Sequence, residues 1–243
     1  MLNKAQAHRA APSSVASVVR THVGHVRRLN EDRALDRPGV ALWAVADGMG
    51  GHAAGDVAAT IVVEELAALS TPTVESIAAC LEHANEMLLD RAAATGQDAI
   101  ATTVVVLGLT DTHAYCVWSG DSRAYLFRAG RLSQITRDHS LVQDLVEAGR
   151  ITAAEARTHP QSHVVTQAVG VDEVLGLETT DVAREPGDVF LLCSDGLTGM
   201  LTDGEIAELL QEPDLAHAAG ALVLAALDRG GLDNVTLALV RAG

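Results

Sequence analysis

The sequence predicts an α+β fold: two β-sheets with helices packed outside them, in one domain. Three observations carry this. Apolar runs over residues 40–46, 102–109 and 189–194 are long enough for buried strands, and none approaches the roughly 18 residues of a membrane span. Short polar turns such as Thr110-Asp111-Thr112 separate neighbouring runs, which suits antiparallel strands. Four further segments, over 52–69, 74–94, 203–210 and 215–227, carry apolar residues at helical spacing. At 243 residues the chain could hold one large domain or two small ones. No repeat or low-complexity stretch divides it, so a single domain over 15–243 is expected behind a loose Ala-, Ser- and Gln-rich tail over 1–14. Hydrophobic residues make up 48% but aromatics only 2%, so the core must be built from Ala, Val, Leu and Ile.

Taken in order, a short strand is expected over 21–26, followed by the polar stretch Arg27-Arg28-Leu29-Asn30-Glu31-Asp32. The next strand covers 40–46, and two long helices follow. Strands over 102–109, 113–119, 123–128 and 131–134 read as an antiparallel meander, with tight turns at Gly120-Asp121-Ser122 and Ala129-Gly130. The segment 136–165 is polar, rich in His and Arg, and holds only short helical pieces over 141–148 and 153–157, the second capped by Thr152. An insertion of that kind between strands is a candidate lid. Strands over 175–182 and 189–194, two helices, and a last strand over 235–240 complete the chain.

The stretch Val40 to Gly55 organises the rest. An apolar strand stops on Asp47-Gly48, passes Gly50-Gly51 and opens into a helix, so one carboxylate arrives at the rim of a core beside a backbone that can turn sharply. Such a place suits a phosphate or a metal ion. Gly48-x-Gly50-x-x-Ala53 matches a dinucleotide-binding fingerprint. Against that reading, Asp47 would repel a pyrophosphate, and Ser70-Thr71-Pro72-Thr73 stands where a second strand ending in an acid is required.

The metal reading needs more carboxylates at strand ends, and they exist: Gly120-Asp121, Asp195-Gly196 and Asp233-Asn234. Any one Asp-Gly is ordinarily a turn. Four acidic turns at the ends of apolar strands can converge on one rim, and carboxylates without Cys or clustered His suit Mg²⁺ or Mn²⁺ rather than zinc. His22-x-x-His25 and His159-x3-His163 lack a cysteine partner and read as structural or surface residues. There is no G-x-S-x-G, H-E-x-x-H or Walker A motif. With 32 acidic and 17 basic residues the net charge is −15, which excludes a nucleic-acid partner as the expectation. Three cysteines stand far apart in apolar stretches, as reduced core thiols of a cytoplasmic protein would. No membrane span or signal core is expected.

In chain order the motifs are Arg27-x-x-Asn30-Glu31-Asp32, Ala46-Asp47-Gly48-Met49-Gly50-Gly51-His52, Ser119-Gly120-Asp121-Ser122-Arg123, Asp138-His139-Ser140, Ala148-Gly149-Arg150-Ile151, Cys193-Ser194-Asp195-Gly196-Leu197 and Asp233-Asn234-Val235-Thr236. This ordered set over about residues 20–240 resembles the type-2C metal-dependent protein serine/threonine phosphatases, in their compact bacterial form. The resemblance implies a central antiparallel β-sandwich flanked by helices on both sides, four layers in all, with a flap over about 140–165. It implies hydrolysis of phosphoserine and phosphothreonine by water activated between two Mn²⁺ or Mg²⁺ ions about 3.5–4 Å apart. Asp47 would bridge the ions, Gly48 would offer its carbonyl, and Asp195 and Asp233 would complete the pair. Asp121 with Asp195 would hold a third, looser ion. Arg27 would bind the substrate phosphate; Arg28 could also reach one, but the spacing to Glu31-Asp32 favours Arg27.

One position departs from the family pattern. Met49 stands where some members have a histidine proposed as general acid, and the histidine here comes later, at His52, where a cap or packing role competes with catalysis. Glu31 and Asp32 would order water around the ions, and Thr136, Asp138 and His139 would fix the start of the flap. The implied partners are phosphorylated proteins and a cognate bacterial Ser/Thr kinase, with no membrane partner, and the protein is expected as a monomer. A catalytically silent phosphoprotein-binding relative is the competing function.

Overall fold

The structure is a computed structural model that describes residues 15–50, 54–97 and 99–243. Its strands form two five-stranded antiparallel sheets. One sheet runs in the order β1 (Val15–His22), β10 (Val235–Ala242), β9 (Val189–Cys193), β6 (Arg123–Arg128) and β7 (Arg131–Gln134). The other runs β2 (Asp32–Arg37), β3 (Leu42–Met49), β4 (Ala101–Leu109), β5 (His113–Ser119) and β8 (Glu178–Ala183). Seven α-helices, α1 (Ala54–Ala67), α2 (Val74–Thr95), α3 (Leu141–Glu147), α4 (Ala153–Ala156), α5 (Asp195–Thr198), α6 (Asp203–Leu209) and α7 (Leu215–Asp228), and a short 3-10 turn over Pro38–Val40 complete the described chain.

The two-residue period of each central strand divides its side chains between two buried layers. Trp43 and Val45 of β3 and Val105 and Leu107 of β4 meet Phe190, Leu192, Ala238 and Val240 between the sheets. The other face of β3 and β4 (Leu42, Ala44, Val104, Val106) packs on Ala58, Val62 and Leu66 of α1 and on Leu81 and Leu88 of α2. The outer face of β9 and β10 (Leu191, Leu237, Leu239) packs on Ile206 of α6 and on Ala218 and Leu222 of α7. The layers are therefore helix, sheet, sheet, helix. A strand buried on both faces has no polar side, which is why 40–46, 104–109 and 189–193 are unbroken apolar runs.

Helix α1 lies unusually close to its strand. A Cβ on Gly48 would fall 2.2 Å from the Gly55 carbonyl oxygen, and one on Gly55 would fall 2.6 Å from the Gly48 carbonyl carbon. Two glycines thus let backbone rest on backbone where Asp47 leaves the sheet.

Several sequence expectations need correction. The first strand covers Val15–His22, and residues 23–31 form a loop, where a strand over 21–26 was expected. Strand β2 was not foreseen. The eighth strand, Glu178–Ala183, starts three residues later than expected and ends one later. The meander is interrupted: β5 and β6 lie in different sheets, so Gly120-Asp121-Ser122 carries the chain from one sheet to the other. Gly120 takes φ +112°, and a Cβ there would fall 2.5 Å from that of Thr103. The expected tail over 1–14 lies outside the described residues. All three cysteines are free, and burial pushes the Cys116 and Cys193 thiols up to about 12. No helix of the described residues is long and apolar enough to cross a membrane.

Candidate metal centre

Strand register brings the acidic turns together. Asp47, near the end of β3, pairs with Asp32 at the start of β2 and with Thr103 near the start of β4. Strand β5 ends opposite Val104 of β4, so Asp121 leaves the sheet beside Asp47. In the second sheet the end of β9 pairs with both Leu237 of β10 and Arg123 of β6, which puts Asp195, Asp233 and Asp121 at one end of the sandwich. All four predicted carboxylates, Gly48 and Arg27 line a single cavity of about 260 Å³ there. Arg28 is exposed and does not line it.

Asn234 sets the position of Arg27. Its Nδ2 donates to the carbonyls of Val23 and Leu29, at 2.9 and 3.0 Å, and its Oδ1 accepts from the Glu31 N–H at 2.8 Å. The loop over 23–31 is further held by the His25 N–H on the Gly231 carbonyl at 2.7 Å. Arg27 Nη2 then donates to Asp233 Oδ2 at 2.7 Å, and that hydrogen bond holds the guanidinium above its usual pKa. Asp32 is 2% exposed and accepts from Ser194 Oγ at 2.8 Å, while its Oδ1 is buried with no hydrogen-bond partner.

Burial and the carboxylates of Asp32, Asp195, Asp121 and Asp233 push Asp47 well above the usual carboxylate range. Burial, followed by Asp195 and Asp138, pushes Asp121 up to about 8. Burial pushes Asp32 up to about 7 against opposing hydrogen bonds from Thr236 and Ser194, and Asp195 is raised by burial and by Asp233. Among the described residues no three acid, His or Cys side chains stand close enough to hold an ion as they are. Asp47 and Asp195 share a side-chain hydrogen bond, and the remaining carboxylates of the cavity wall repel one another. An acidic wall without thiols and a buried orphan oxygen at Asp32 fit hard divalent cations, whose charge offsets the repulsion.

The flap is anchored at the same rim. Arg123 forks onto Asp138, Nε to Oδ1 at 2.8 Å and Nη2 to Oδ2 at 2.6 Å, and Thr136 Oγ1 accepts from the Ala124 N–H at 3.0 Å. His139 ties three segments together. Its Nδ1 accepts from the Gly120 N–H at 3.1 Å, its own N–H donates to the Gly120 carbonyl at 3.0 Å, and its carbonyl accepts from Thr166 at 2.8 Å.

The profile for the protein phosphatase 2C family matches residues 15–235. The chain belongs to the protein phosphatase 2C family. It is 37% identical over 232 residues to the protein phosphatase PhpP of Streptococcus pneumoniae, covering 90% of this chain and 94% of that one. PppA, described as a key regulatory component of T6SS in Pseudomonas aeruginosa, superposes with a TM-score of 0.89 at 40% identity over 96% of this chain and 99% of its own. The catalytic domain of the serine/threonine phosphatase PstP, solved in complex with two manganese ions, superposes with a TM-score of 0.85 at 36% identity over 93% of this chain and 97% of its own. The protein is a phosphatase of the protein serine/threonine class, with the family's metal-dependent sandwich fold.

Two features of this phosphatase 2C centre were not legible as chemistry in the sequence. Asn234 looked like the second half of an acidic turn, and only the fold shows its amide gripping the arginine loop. His163, read as a surface residue, is exposed but lines the cavity from the flap side. His52, the candidate general acid, lies outside the described residues.

Proposed function

We propose that this protein hydrolyses phosphoserine and phosphothreonine in other proteins, with two Mn²⁺ or Mg²⁺ ions held by Asp47, Asp195, Asp233 and the Gly48 carbonyl. A third, looser ion belongs to Asp121 and Asp195. The observation that supports this most is the gathering of four strand-end carboxylates and one guanidinium around one cavity. When bound, the ions lower the pKa of water and offset negative charge on the phosphoryl oxygens.

The chain's own residues do the positioning. Asp47 sits where β2, β3 and β4 meet, so its carboxylate is fixed by a sheet rather than a mobile loop. Arg27, steered by Asp233 and exposed at the cavity mouth, offers a planar fork to two phosphoryl oxygens. Asp32, paired across the sheet with Asp47, would with Glu31 help order water around the ions. His52 is the proposed donor to the leaving serine or threonine oxygen. We place the protein in the cytoplasm as a monomer opposing a bacterial Ser/Thr kinase; its three free thiols, those of Cys116 and Cys193 buried, support a reducing compartment.

Peptides of one sequence carrying phosphoserine, phosphothreonine or phosphotyrosine test the reading. With Mn²⁺ present, phosphate release is expected from the first two well ahead of the third. Preference for phosphotyrosine would overturn the assignment.

A further inference from the structure

We propose that Val26, Leu29 and Leu232 form an apolar rim that receives a nonpolar side chain flanking the phosphorylated residue of the substrate protein. The inference rests on the phosphatase reading of the adjoining cavity. Seven large apolar side chains are exposed among the described residues, and three of them stand on the two loops that deliver Arg27 and Asp233: Val26 at 62%, Leu29 at 43% and Leu232 at 57%. Val26 precedes Arg27, Leu29 follows it by two positions, and Leu232 precedes Asp233.

The loops that carry them are fastened to each other. The His25 N–H reaches the Gly231 carbonyl at 2.7 Å, and the Asn234 amide grips the Val23 and Leu29 carbonyls. Gly24 packs so tightly that a Cβ there would fall 2.2 Å from the Asp233 carbonyl oxygen. Apolar side chains held on so rigid a mount gain nothing from exposure to water. The mount is preorganised, so covering it costs little ordering of the protein.

The occupant follows from what must approach this rim. A phosphorylated side chain entering beside Arg27 brings its own backbone across the same loops. An extended peptide advances about 3.3 Å per residue, so a side chain one to three positions away reaches a rim that begins next to Arg27. The side chains of Val26, Leu29 and Leu232 offer no hydrogen-bond partner, so a polar neighbour covered by them would lose water without replacement. That selects a nonpolar neighbour to the phosphate over a polar one.

The test uses the full chain with Mn²⁺ and three substrates: p-nitrophenyl phosphate and two phosphothreonine peptides identical except for Leu or Asn on either side of the phosphothreonine. The native protein should favour the Leu peptide by about three- to tenfold in kcat/KM, mostly through KM, as expected of a partly covered apolar contact. The triple variant Val26→Ser/Leu29→Ser/Leu232→Ser should lose that preference and keep its p-nitrophenyl phosphate turnover, whereas Val174→Ser, an exposed apolar residue elsewhere, should change neither. If the triple variant also loses p-nitrophenyl phosphate turnover, Leu232→Ser alone, outside the Arg27 loop, decides by the same preference ratio. Equal kcat/KM for the two peptides in the native protein, or a preference that survives the substitutions, overturns the rim. A concentration-dependent dimer abolished by the triple variant would assign the patch to a second copy instead and also overturn it. Inertness toward all three esters would strike the phosphatase reading itself.

Discussion

Arg27 and Asp233 share one hydrogen bond, and the arginine is over half exposed at the mouth of an acidic cavity. An exposed ion pair contributes little to stability, so the proposed phosphate-binding role of Arg27, and not a structural one, is what its substitution should reveal. Arg27→Ala should raise KM for a phosphopeptide strongly, at least tenfold, with a smaller fall in kcat; Arg27→Lys should restore part of the loss, lacking the planar fork. Arg28→Ala should be mild, and steady-state kinetics of the three variants separate these outcomes. Among the acids, Asp47→Asn and Asp233→Asn should each remove nearly all turnover, while Asp121→Asn should slow it and leave two ions bound by calorimetry. Loss of every ion in Asp121→Asn would refute a separate third position. The acids also set a pH dependence. In the ion-free protein Asp121 and Asp32 keep their protons up to about 8 and about 7, against about 4 for a carboxylate in an unfolded chain. Between those values the folded state binds more protons than the unfolded state, so stability falls as pH rises through the window. Melts of chelator-treated protein should show a Tm that drops from pH 5 to pH 8, and Mn²⁺ should raise Tm more at pH 8 than at pH 5. A Tm that climbs over that range would contradict the acidic cluster as described.

At the scale of elements, the close seat of α1 on β3 and the knot at His139 each make a claim. Gly55→Ala drives a methyl into the Gly48 backbone and should cost about 1–3 kcal/mol of stability as an overpacked contact. Gly39→Ala meets nothing within 4 Å and should be nearly neutral; urea midpoints compare the two. His139→Phe removes the acceptor for the Gly120 N–H, and His139→Asn can keep one, so turnover should fall more in the first than in the second. The most legible strands, β3, β4 and β9, are those whose side chains face two apolar layers, because such strands leave an apolar run; β6 and β7 were legible instead from the tight turns that bound them. Strand β2 escaped notice for the opposite reason: only Asp32 and Leu35 of its six residues are buried, and its charges suit a sheet edge while resembling a loop. The passage at Gly120 was taken for a hairpin turn, since a glycine beside an aspartate signals a turn whether the next strand joins the same sheet or the facing one.

Across the whole molecule, the sandwich gathers the proposed metal site from residues as far apart as Asp47 and Asp233. Each sheet contributes acids at one end, and antiparallel register, not proximity in the chain, aligns them. Four of those acids were legible because each interrupts the chain at the edge of an apolar run. The supports behind them (Asn234 on the arginine loop, Ser194 on Asp32, Gly55 beneath Gly48) were not, since their partners are set by tertiary approach that no local pattern encodes. This acidic end is expected to work only when divalent cations neutralise it. The direct measurement is phosphate release from a phosphothreonine peptide by chelator-stripped protein during a Mn²⁺ titration. No turnover is expected before the ion is added and a saturable rise afterwards, absent in Asp47→Asn; full turnover by the stripped protein would contradict metal-dependent hydrolysis.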